Sequence, residues 1–213
     1  MSEDIESFKV VLVGESGVGK TSIITQFIEQ TFQEDQQSTT GGTFSTKSVI
    51  CDNNKTLKFE IWDTAGQERY RSLTKMFYKD ANAAVLVYDI TRKDSFEELK
   101  SYWAEQIKES TPPNIIIVIV ANKADLLEQE TVNEEEARKF AGDMGALFVS
   151  TSAKTMETIN QLFIEIAKKY TGSTNVKIKE EEEEAEPEEP QEHKDSVRLS
   201  KQNNSKKKKK KFC

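Results

Sequence analysis

Apolar residues follow two different patterns along the chain. Continuous apolar runs, typical of strands buried on both faces of a parallel sheet, occupy residues 8–13, 83–88, 115–120 and 146–149. Apolar residues recur with helical spacing in the segments 21–30, 95–109, 133–144 and 156–170. This alternation predicts right-handed βαβ units, and therefore an α/β fold in which helices cover a parallel sheet.

Two further strand-like segments, residues 43–51 and 56–62, have the polar turn residues Asp52, Asn53 and Asn54 between them. Because Asp and Asn favour tight turns, these segments are expected to pair as an antiparallel hairpin at one edge of the sheet. We therefore expect a globular domain over residues 1–171 with a six-stranded, mostly parallel sheet, one antiparallel edge strand and about five helices.

The composition changes after Tyr170. Residues 180–192 are mostly acidic, and residues 206–211 are six consecutive lysines. Such charge blocks bury too little apolar surface to become ordered, which predicts a disordered tail over residues 172–213. The formal net charge of −7 averages over these two opposed blocks, so it does not exclude an anionic partner for the lysines.

Several classes of protein are not expected from this sequence. No apolar run approaches the roughly 20 residues of a membrane-spanning helix. Residues 1–8 lack the apolar centre of a signal peptide. Cys51 and Cys213 are too few and too far apart for a secreted disulfide framework, so a reducing compartment is expected.

A glycine-rich loop with the sequence G-E-S-G-V-G-K-T, residues 14–21, joins the first predicted strand to the first predicted helix. In that position backbone N–H groups and the helix N-terminus can cradle a phosphate. Lys20 can supply positive charge to the β- and γ-phosphates, and the Thr21 hydroxyl can bind Mg²⁺. The loop alone would suit an ATPase or a small-molecule kinase equally well.

A second motif, D-T-A-G-Q at residues 63–67, follows the predicted strand 56–62. Asp63 can hold Mg²⁺, and the Gly66 N–H can contact a γ-phosphate. Gln67 can orient an attacking water through its neutral amide, which makes it the candidate catalytic residue. The motif therefore favours hydrolysis of a nucleoside triphosphate.

A third motif, N-K-A-D at residues 122–125, follows the apolar run 115–120, at the sheet edge where open α/β folds bind ligands. The Asp125 carboxylate can accept hydrogen bonds from the ring N–H and the exocyclic amine of guanine. Adenine lacks this donor pair, so a buried carboxylate would be left unpaired by ATP. The motif therefore predicts guanine as the base.

These three motifs, together with T-S-A-K at residues 151–154, resemble the Ras superfamily of small GTPases. Within it the chain is most similar to the Rab family, through E-I-W-D-T-A-G-Q-E-R-Y-R at residues 60–71 and V-Y-D-I-T at residues 87–91. The resemblance implies the three-layer α/β fold of a P-loop NTPase G domain. It also implies a slow GTPase that uses Mg²⁺ and switches between GTP and GDP in vesicle trafficking.

The resemblance also assigns roles to individual residues. Thr39 matches the threonine that closes on Mg²⁺ and the γ-phosphate, and Ala153 would donate its N–H to the guanine oxygen. Phe32 matches an aromatic residue at the guanine edge, although it could instead pack in the core beside the first helix. Candidate Mg²⁺ ligands are Thr21, Thr39 and Asp63. The candidate GTP-binding residues are Ser16, Gly17, Val18, Gly19, Lys20, Thr21, Ser22, Phe32, Thr39, Gly66, Asn122, Lys123, Asp125, Ser152, Ala153 and Lys154.

The segment that would contact effectors departs from the Rab pattern. Thr40 stands where Rabs usually carry isoleucine, and Gly41 and Gly42 follow it, so this loop is expected to be flexible. An aromatic triad typical of Rabs matches Phe44, Trp62 and Phe77. Expected partners are a nucleotide exchange factor, a GTPase-activating protein, effectors, the prenylation machinery and a GDP-dissociation inhibitor.

The tail ends in Cys213, whereas Rabs usually end in two prenylated cysteines. One lipid chain binds a membrane weakly, and a neighbouring lysine run can supply the second signal on an anionic surface. This predicts lipidation of Cys213 and location on the cytoplasmic side of intracellular membranes, endosomal or otherwise vesicular. The alternatives are a free thiol and a nuclear-import or nucleic-acid patch formed by the lysines; nucleic acid is the less expected partner.

Two other functions remain open from the sequence. The first is a nucleotide-dependent binding module whose hydrolysis is incidental, and the second is a Ras-superfamily GTPase outside vesicle traffic. The only histidine, His193, lies in the tail, so histidine base catalysis is not expected. An activating partner is expected to supply the missing positive charge during hydrolysis.

Overall fold

Seven strands form one mixed sheet in the computed structural model, which describes residues 4–39, 41–52, 55–66 and 76–179. The strands are β1 (Asp4–Val13), β2 (Gly42–Cys51), β3 (Lys55–Thr64), β4 (Ala83–Asp89), β5 (Ile116–Asn122), β6 (Leu147–Ser150) and β7 (Val176–Ile178). Their order in the sheet is β6-β5-β4-β1-β3-β2-β7. Strands β3, β1, β4, β5 and β6 are parallel neighbours, which confirms the α/β prediction.

The helices cover both faces of this sheet. They are α1 (Lys20–Glu29), α2 (Lys93–Glu98), a π-helical segment (Leu99–Trp103), α3 (Ala104–Ser110), a 3-10 helix (Ala124–Gln129), α4 (Glu134–Asp143) and α5 (Met156–Thr171). The segments from α2 to α3 follow one another directly, so they form the single helix predicted at 95–109. None of the described helices combines the length and the apolar character needed to cross a membrane.

The two core clusters follow the alternation of side chains along β1. Phe8, Val10 and Leu12 face one cluster, and Val11 and Val13 face the other, as expected when successive residues of a strand point to opposite faces. The first cluster packs under α1 and α5, where the rings of Phe27 and Phe163 are stacked with centroids 3.7 Å apart. The second cluster packs under α2, α3 and α4.

The predicted hairpin is present, but its position and the strand count need correction. β2 and β3 pair antiparallel, with Phe44 opposite Trp62. The prediction of six strands is wrong, because β7 pairs antiparallel with Val49–Cys51 on the other side of β2. β2 is therefore flanked by strands on both sides, and β7 lies within the segment that the composition assigned to the disordered tail.

Asp52, in the turn after β2, fixes the approach to β7. Its carboxylate accepts hydrogen bonds from the backbone N–H groups of Thr174 (3.0 Å) and Asn175 (3.1 Å) and from the Thr174 hydroxyl (2.9 Å). These hydrogen bonds lower the pKa of Asp52 to about 2, and the largest effect comes from the Asn175 backbone N–H. A strand of three residues preceded by polar residues carries too little periodicity to be predicted, and it forms here because β2 offers a partner.

Candidate functional site

A cavity of about 330 Å³ opens at the carboxyl edge of the parallel strands. Its walls come from the glycine-rich loop, residues 32–39, Gly66 and the two loops that follow β5 and β6. The sequence-predicted residues that line it are Ser16, Gly17, Gly19, Lys20, Thr21, Ser22, Phe32, Thr39, Gly66, Asn122, Lys123, Asp125, Ala153 and Lys154. The fold therefore brings most of the predicted site residues to one place.

Three predicted residues lie behind the cavity wall. Val18 is fully buried in the core, and Asp63 and Ser152 are also buried. Asp63 and Ser152 act on residues that do line the cavity, through the hydrogen bonds described below. Two others, the catalytic candidate Gln67 and the lipidation candidate Cys213, lie outside the described residues.

The glycine-rich loop requires glycine at two positions where its backbone lies very close to another group. Gly14 has φ +144°, and a Cβ there would lie 2.3 Å from the Val87 carbonyl oxygen. Gly19 has φ +96°, and a Cβ there would lie 2.3 Å from the Asn122 side-chain nitrogen. The loop then enters α1 at Lys20, so the N-terminus of this helix faces the cavity, where unpaired N–H groups favour an anion.

The Lys20 ammonium is buried within the loop itself. Its Nζ donates to the carbonyl oxygens of Gly14 and Glu15, both at 2.9 Å. Burial lowers the pKa of Lys20 to about 8, against the opposing effect of the Asp63 and Glu15 carboxylates. A cation whose charge is disfavoured by burial is strongly stabilised by an anion entering the cavity.

The three predicted Mg²⁺ ligands converge on one another. Thr21 Oγ1 donates to Asp63 Oδ2 at 2.6 Å and lies 2.7 Å from Thr39 Oγ1, and Thr39 Oγ1 donates to Asp63 Oδ2 at 3.2 Å. Burial raises the pKa of Asp63, against the hydrogen bond from Thr21. The other carboxylate oxygen, Oδ1, is buried and has no hydrogen-bond partner among the described residues. Hard oxygen donors with an unsatisfied carboxylate oxygen fit a Mg²⁺ ion.

Gly66 packs directly on the glycine-rich loop. A Cβ at Gly66 would lie 2.5 Å from the Glu15 carbonyl carbon and the Ser16 nitrogen. The neighbouring Ala65 N–H donates to the Gly41 carbonyl oxygen at 3.0 Å. The segment after β3 is therefore in contact both with the loop and with the start of β2.

At the other end of the cavity, Ser152 orients Asp125. The Ser152 hydroxyl donates to Asp125 Oδ1 at 2.6 Å and accepts from the Lys154 N–H at 3.1 Å. The Lys154 ammonium lies 3.9 Å from Asp125 Oδ2 and 5.7 Å from the centre of the Phe32 ring. Phe32 is 36% exposed, so it lies at this end of the cavity and does not pack in the core beside α1.

Asn122 and Lys123 line the cavity and also bond to neighbouring elements of the fold. Asn122 Nδ2 donates to the Val18 carbonyl oxygen at 2.7 Å, and Asn122 Oδ1 accepts from the Thr151 hydroxyl at 3.3 Å. Lys123 has φ +67°, and its ammonium lies 2.6 Å from the buried carboxylate of Asp89. The loop after β5 is thus tied both to the glycine-rich loop and to the end of β4.

A sequence model of the Ras family matches residues 9–172, which is most of the chain. The chain belongs to the Ras family. Members of this family are small GTPases that bind GTP and GDP, typically with Mg²⁺, and act as switches under exchange factors, activating proteins and effectors. The match ends at Gly172, the residue that terminates α5.

Asp89 and Arg92, which bond to residues of this site, are not among the residues that the sequence predicts for it. Asp89 ends β4 and pairs with Lys123, and Arg92 lies three residues later, with its guanidinium on the glycine-rich loop. The available signal was position, because both residues follow a buried strand at the carboxyl edge of the sheet. That signal is shared by many polar loop residues, so it could not single them out.

The predicted aromatic triad is also brought together. The Trp62 ring lies 5.0 Å from the Phe44 ring and 5.2 Å from the Phe77 ring, between centroids. Phe44 is 51% exposed. A Cβ at Gly42 would lie 2.6 Å from the tip of the Phe77 ring, so the absence of a side chain at Gly42 allows this contact.

Proposed function

We propose that this Ras-family GTPase is a Rab-type switch that acts on vesicular membranes. The observation that carries the proposal is the continuous aromatic surface formed by Phe44, Trp62 and Phe77. It lies on two strands and the helical residues 76–78, next to the segments that hold Thr39 and Gly66. A surface in this position can report the nucleotide state to an effector.

The phosphate chemistry rests on the loop and on the converging hydroxyls. The loop N–H groups and Lys20 bind the phosphates, while Gln67 orients the attacking water. Thr21, Thr39 and Asp63 hold Mg²⁺, which when bound neutralises charge on the phosphates. Because phosphoryl transfer depends on positioning and electrostatics, hydrolysis is slow until an activating protein adds positive charge beside Ser16.

Base selection rests on the opposite end of the cavity. Asp125, held by Ser152, accepts the two guanine donors, and the Ala153 N–H meets the guanine oxygen. The stems of Lys123 and Lys154 flank the base, and Phe32 covers its edge. ATP would supply neither of the two guanine donors to the Asp125 carboxylate, so the site discriminates against adenine.

Switching follows from the contacts of Thr39 and Gly66. Thr39 bonds to the residues that hold Mg²⁺, and Gly66 packs on the loop that holds the phosphates. Loss of the γ-phosphate removes a partner of both, so both segments relax. The Ala65 to Gly41 hydrogen bond and the Gly42 to Phe77 contact pass that change to the aromatic surface.

Membrane association rests on the part of the tail beyond residue 179, which lies outside the described residues. A single lipid on Cys213, together with the lysines at 206–211, supplies the two signals that stable attachment requires. The protein cycles between the cytoplasmic face of vesicles and the cytosol. A GDP-dissociation inhibitor would cover the lipid in the cytosol.

The membrane role is tested by the mass and location of the protein. Protein purified from a eukaryotic host should carry a geranylgeranyl group that Cys213→Ser removes and Cys51→Ser leaves in place. The Cys213→Ser variant should be cytosolic in cells. An unlipidated wild-type protein, or a lipidated Cys213→Ser variant, would contradict the proposal.

The catalytic role of Gln67 is tested by single-turnover hydrolysis of bound GTP. Gln67→Leu should slow both the intrinsic and the activator-stimulated rate without changing GDP affinity. Equal rates for the wild type and the variant would favour the alternative function, a nucleotide-dependent binding module with incidental hydrolysis.

A further inference from the structure

We propose that Arg92 is a positioning residue that holds the outer arm of the glycine-rich loop, Glu15 and Ser16, and slows the release of bound nucleotide. Its guanidinium contacts both residues of that arm. Nη1 donates to the Ser16 carbonyl oxygen at 2.9 Å, and Nη2 donates to Glu15 Oε2 at 2.5 Å. The inference uses the guanine-nucleotide binding of the family and is independent of the proposed vesicle role.

The backbone of Arg92 is fixed to the sheet edge. Its N–H donates to the Asp89 carbonyl oxygen at 3.0 Å. Its own carbonyl oxygen accepts from the Ser95 hydroxyl at 2.7 Å and from the Ser95 N–H at 3.1 Å. Asp94 holds the guanidinium from the solvent side, with 3.0 Å between Nη2 and Asp94 Oδ2. The Arg92 backbone is thus held in place by hydrogen bonds, and its guanidinium is already paired with Asp94.

Two separate segments contact the loop arm. Arg92 donates to the Ser16 carbonyl oxygen and the Glu15 carboxylate, and Gly66 packs against the backbone of the same two residues. Glycines at 14, 17 and 19 give the loop freedom to change conformation. External contacts of this kind limit that freedom, and they keep the loop N–H groups aimed at the phosphates.

The same turn also reaches the base end of the cavity. Asp89 pairs with Lys123, and the Ile90 N–H donates to the Asn122 carbonyl oxygen at 3.1 Å. Residues 89–92 therefore contact the phosphate loop and the guanine-specific loop at once. Release of a nucleotide requires these two halves to loosen, and Arg92 opposes that movement on the phosphate side.

The competing interpretation is an ordinary surface ion pair, which contributes little to any equilibrium. The Arg92 side chain is 33% exposed and that of Glu15 is 29% exposed, so part of the charge attraction is screened. The hydrogen bond to the Ser16 carbonyl oxygen distinguishes the two interpretations. It restrains the loop backbone itself, and it does not depend on the Glu15 charge.

The test measures the dissociation rate of a fluorescent GDP analogue from the full-length protein, with Mg²⁺ and excess unlabelled GDP. Arg92→Ala should raise this rate about fivefold, the expectation for a charged hydrogen bond at a partly exposed site. Glu15→Gln should raise it less, because the Ser16 contact remains. Arg92→Lys should fall between the wild type and Arg92→Ala, since lysine keeps the charge but loses the fork of donors.

Arg138→Ala is the matched control. Arg138 also forms a carboxylate pair, with Glu134 at 2.6 Å on α4, but it does not contact the loop. Its removal should leave the dissociation rate unchanged. The unfolding temperature of each variant is measured alongside. If faster nucleotide release resulted only from a general loss of stability, the unfolding temperature would fall as well.

Three outcomes would overturn the proposal when Arg92→Ala folds. The first is a dissociation rate for Arg92→Ala that equals the wild-type rate, and the second is an equal increase for Arg138→Ala. The third is an increase that follows the unfolding temperature across all variants. Should Arg92→Ala fail to fold, unchanged rates for both Arg92→Lys and Glu15→Gln would also overturn it. An absence of lipid on Cys213 affects the vesicle role alone and leaves this result intact.

Discussion

The side-chain nitrogen of Asn122 lies 2.7 Å from the Val18 carbonyl oxygen, across 104 residues of sequence. This hydrogen bond is buried and joins the N-K-A-D loop, residues 122–125, to the glycine-rich loop. Gly19 lies against the same nitrogen, so no side chain fits between the two loops. The two halves of the nucleotide site are therefore one hydrogen-bonded unit, although neither motif implies the other.

Removal of this hydrogen bond should weaken nucleotide binding. Asn122→Ala leaves the buried Val18 carbonyl and Thr151 hydroxyl without their partner, and a loss of GDP affinity of about tenfold or more is expected. Isothermal titration measures it directly. Asn133→Ala is the control, since the Asn133 side chain accepts a hydrogen bond from the Glu136 N–H at the start of α4. That variant should lower the unfolding temperature by loss of a helix cap and leave affinity unchanged.

The buried Lys20 predicts a pH dependence of binding. Its pKa in the nucleotide-free fold is about 8, and bound phosphate should raise that pKa by stabilising the ammonium. GDP affinity should therefore be nearly constant at lower pH and fall as the pH rises through about 8, by up to about tenfold per pH unit. Titrations between pH 7 and 9 check this. Lys20→Met keeps any titration of the nucleotide itself, so an equal pH dependence in that variant would exclude Lys20 as the cause.

The lowered pKa of Lys20 also makes the free energy of unfolding depend on pH. The folded pKa of Lys20 lies below its unfolded value of 10.5, so the unfolded chain binds more protons between about pH 8 and 10.5. The free energy of unfolding contributed by this group should rise with pH across that window, by at most about 3 kcal/mol. Denaturant titrations of nucleotide-free protein, compared with Lys20→Met, measure this contribution.

The convergence of Thr21, Thr39 and Asp63 predicts how removal of metal affects the protein. Chelation of Mg²⁺ should speed GDP release from the wild type. Asp63→Asn should release GDP faster even with Mg²⁺ present, and should respond little to chelation. Its apparent Mg²⁺ affinity should fall about tenfold or more. Asp143→Asn, at the end of α4, should behave as the wild type, and an Asp63→Asn variant with an undiminished response to chelation would contradict the assignment.

Gly42 should control the packing of the aromatic surface. A methyl group in Gly42→Ala would lie 2.6 Å from the Phe77 ring, so the ring must shift and its packing against Trp62 should change. The indole N–H signal of Trp62 in NMR spectra should shift, with its assignment made from Trp62→Phe. Gly142→Ala introduces a methyl group that, apart from its own helix and chain neighbours, meets no atom of the described residues within 4 Å. This variant should leave the signal unchanged. Identical spectra for Gly42→Ala and the wild type would contradict the contact.

Asp52 should hold β7 on the sheet. Asp52→Ala removes the acceptor of three hydrogen bonds from Thr174 and Asn175, so β7 should open more often. The Lys179 N–H, which donates to the Ser48 carbonyl oxygen at 2.9 Å, should exchange with deuterium about tenfold faster. Asp143→Ala is the control. Unchanged exchange in Asp52→Ala would mean that the strand pairing alone retains β7.

Much of the site could be predicted because its residues follow strands. Parallel strands end at the same edge of a sheet, so the motifs at 14–21, 63–67 and 122–125 had to meet there once the strands were recognised. The strands themselves were recognisable because burial on both faces requires continuous apolar runs. The glycine-rich loop, the N-K-A-D motif and the family resemblance could therefore all be recognised in the sequence.

The remaining features depend on pairs of residues that are distant in the chain. Arg92 and Glu15 are 77 residues apart, and Asp52 holds Thr174 from 122 residues away. Such contacts leave no periodicity and no local spacing, so no pattern predicts them. The sequence by itself determined the chemistry of the site and the order of its elements. Only the tertiary structure revealed that a seventh strand pairs with β2, that Phe32 lines the cavity and that Arg92 bonds to the glycine-rich loop. Each of these features arises where packing brings separate segments together.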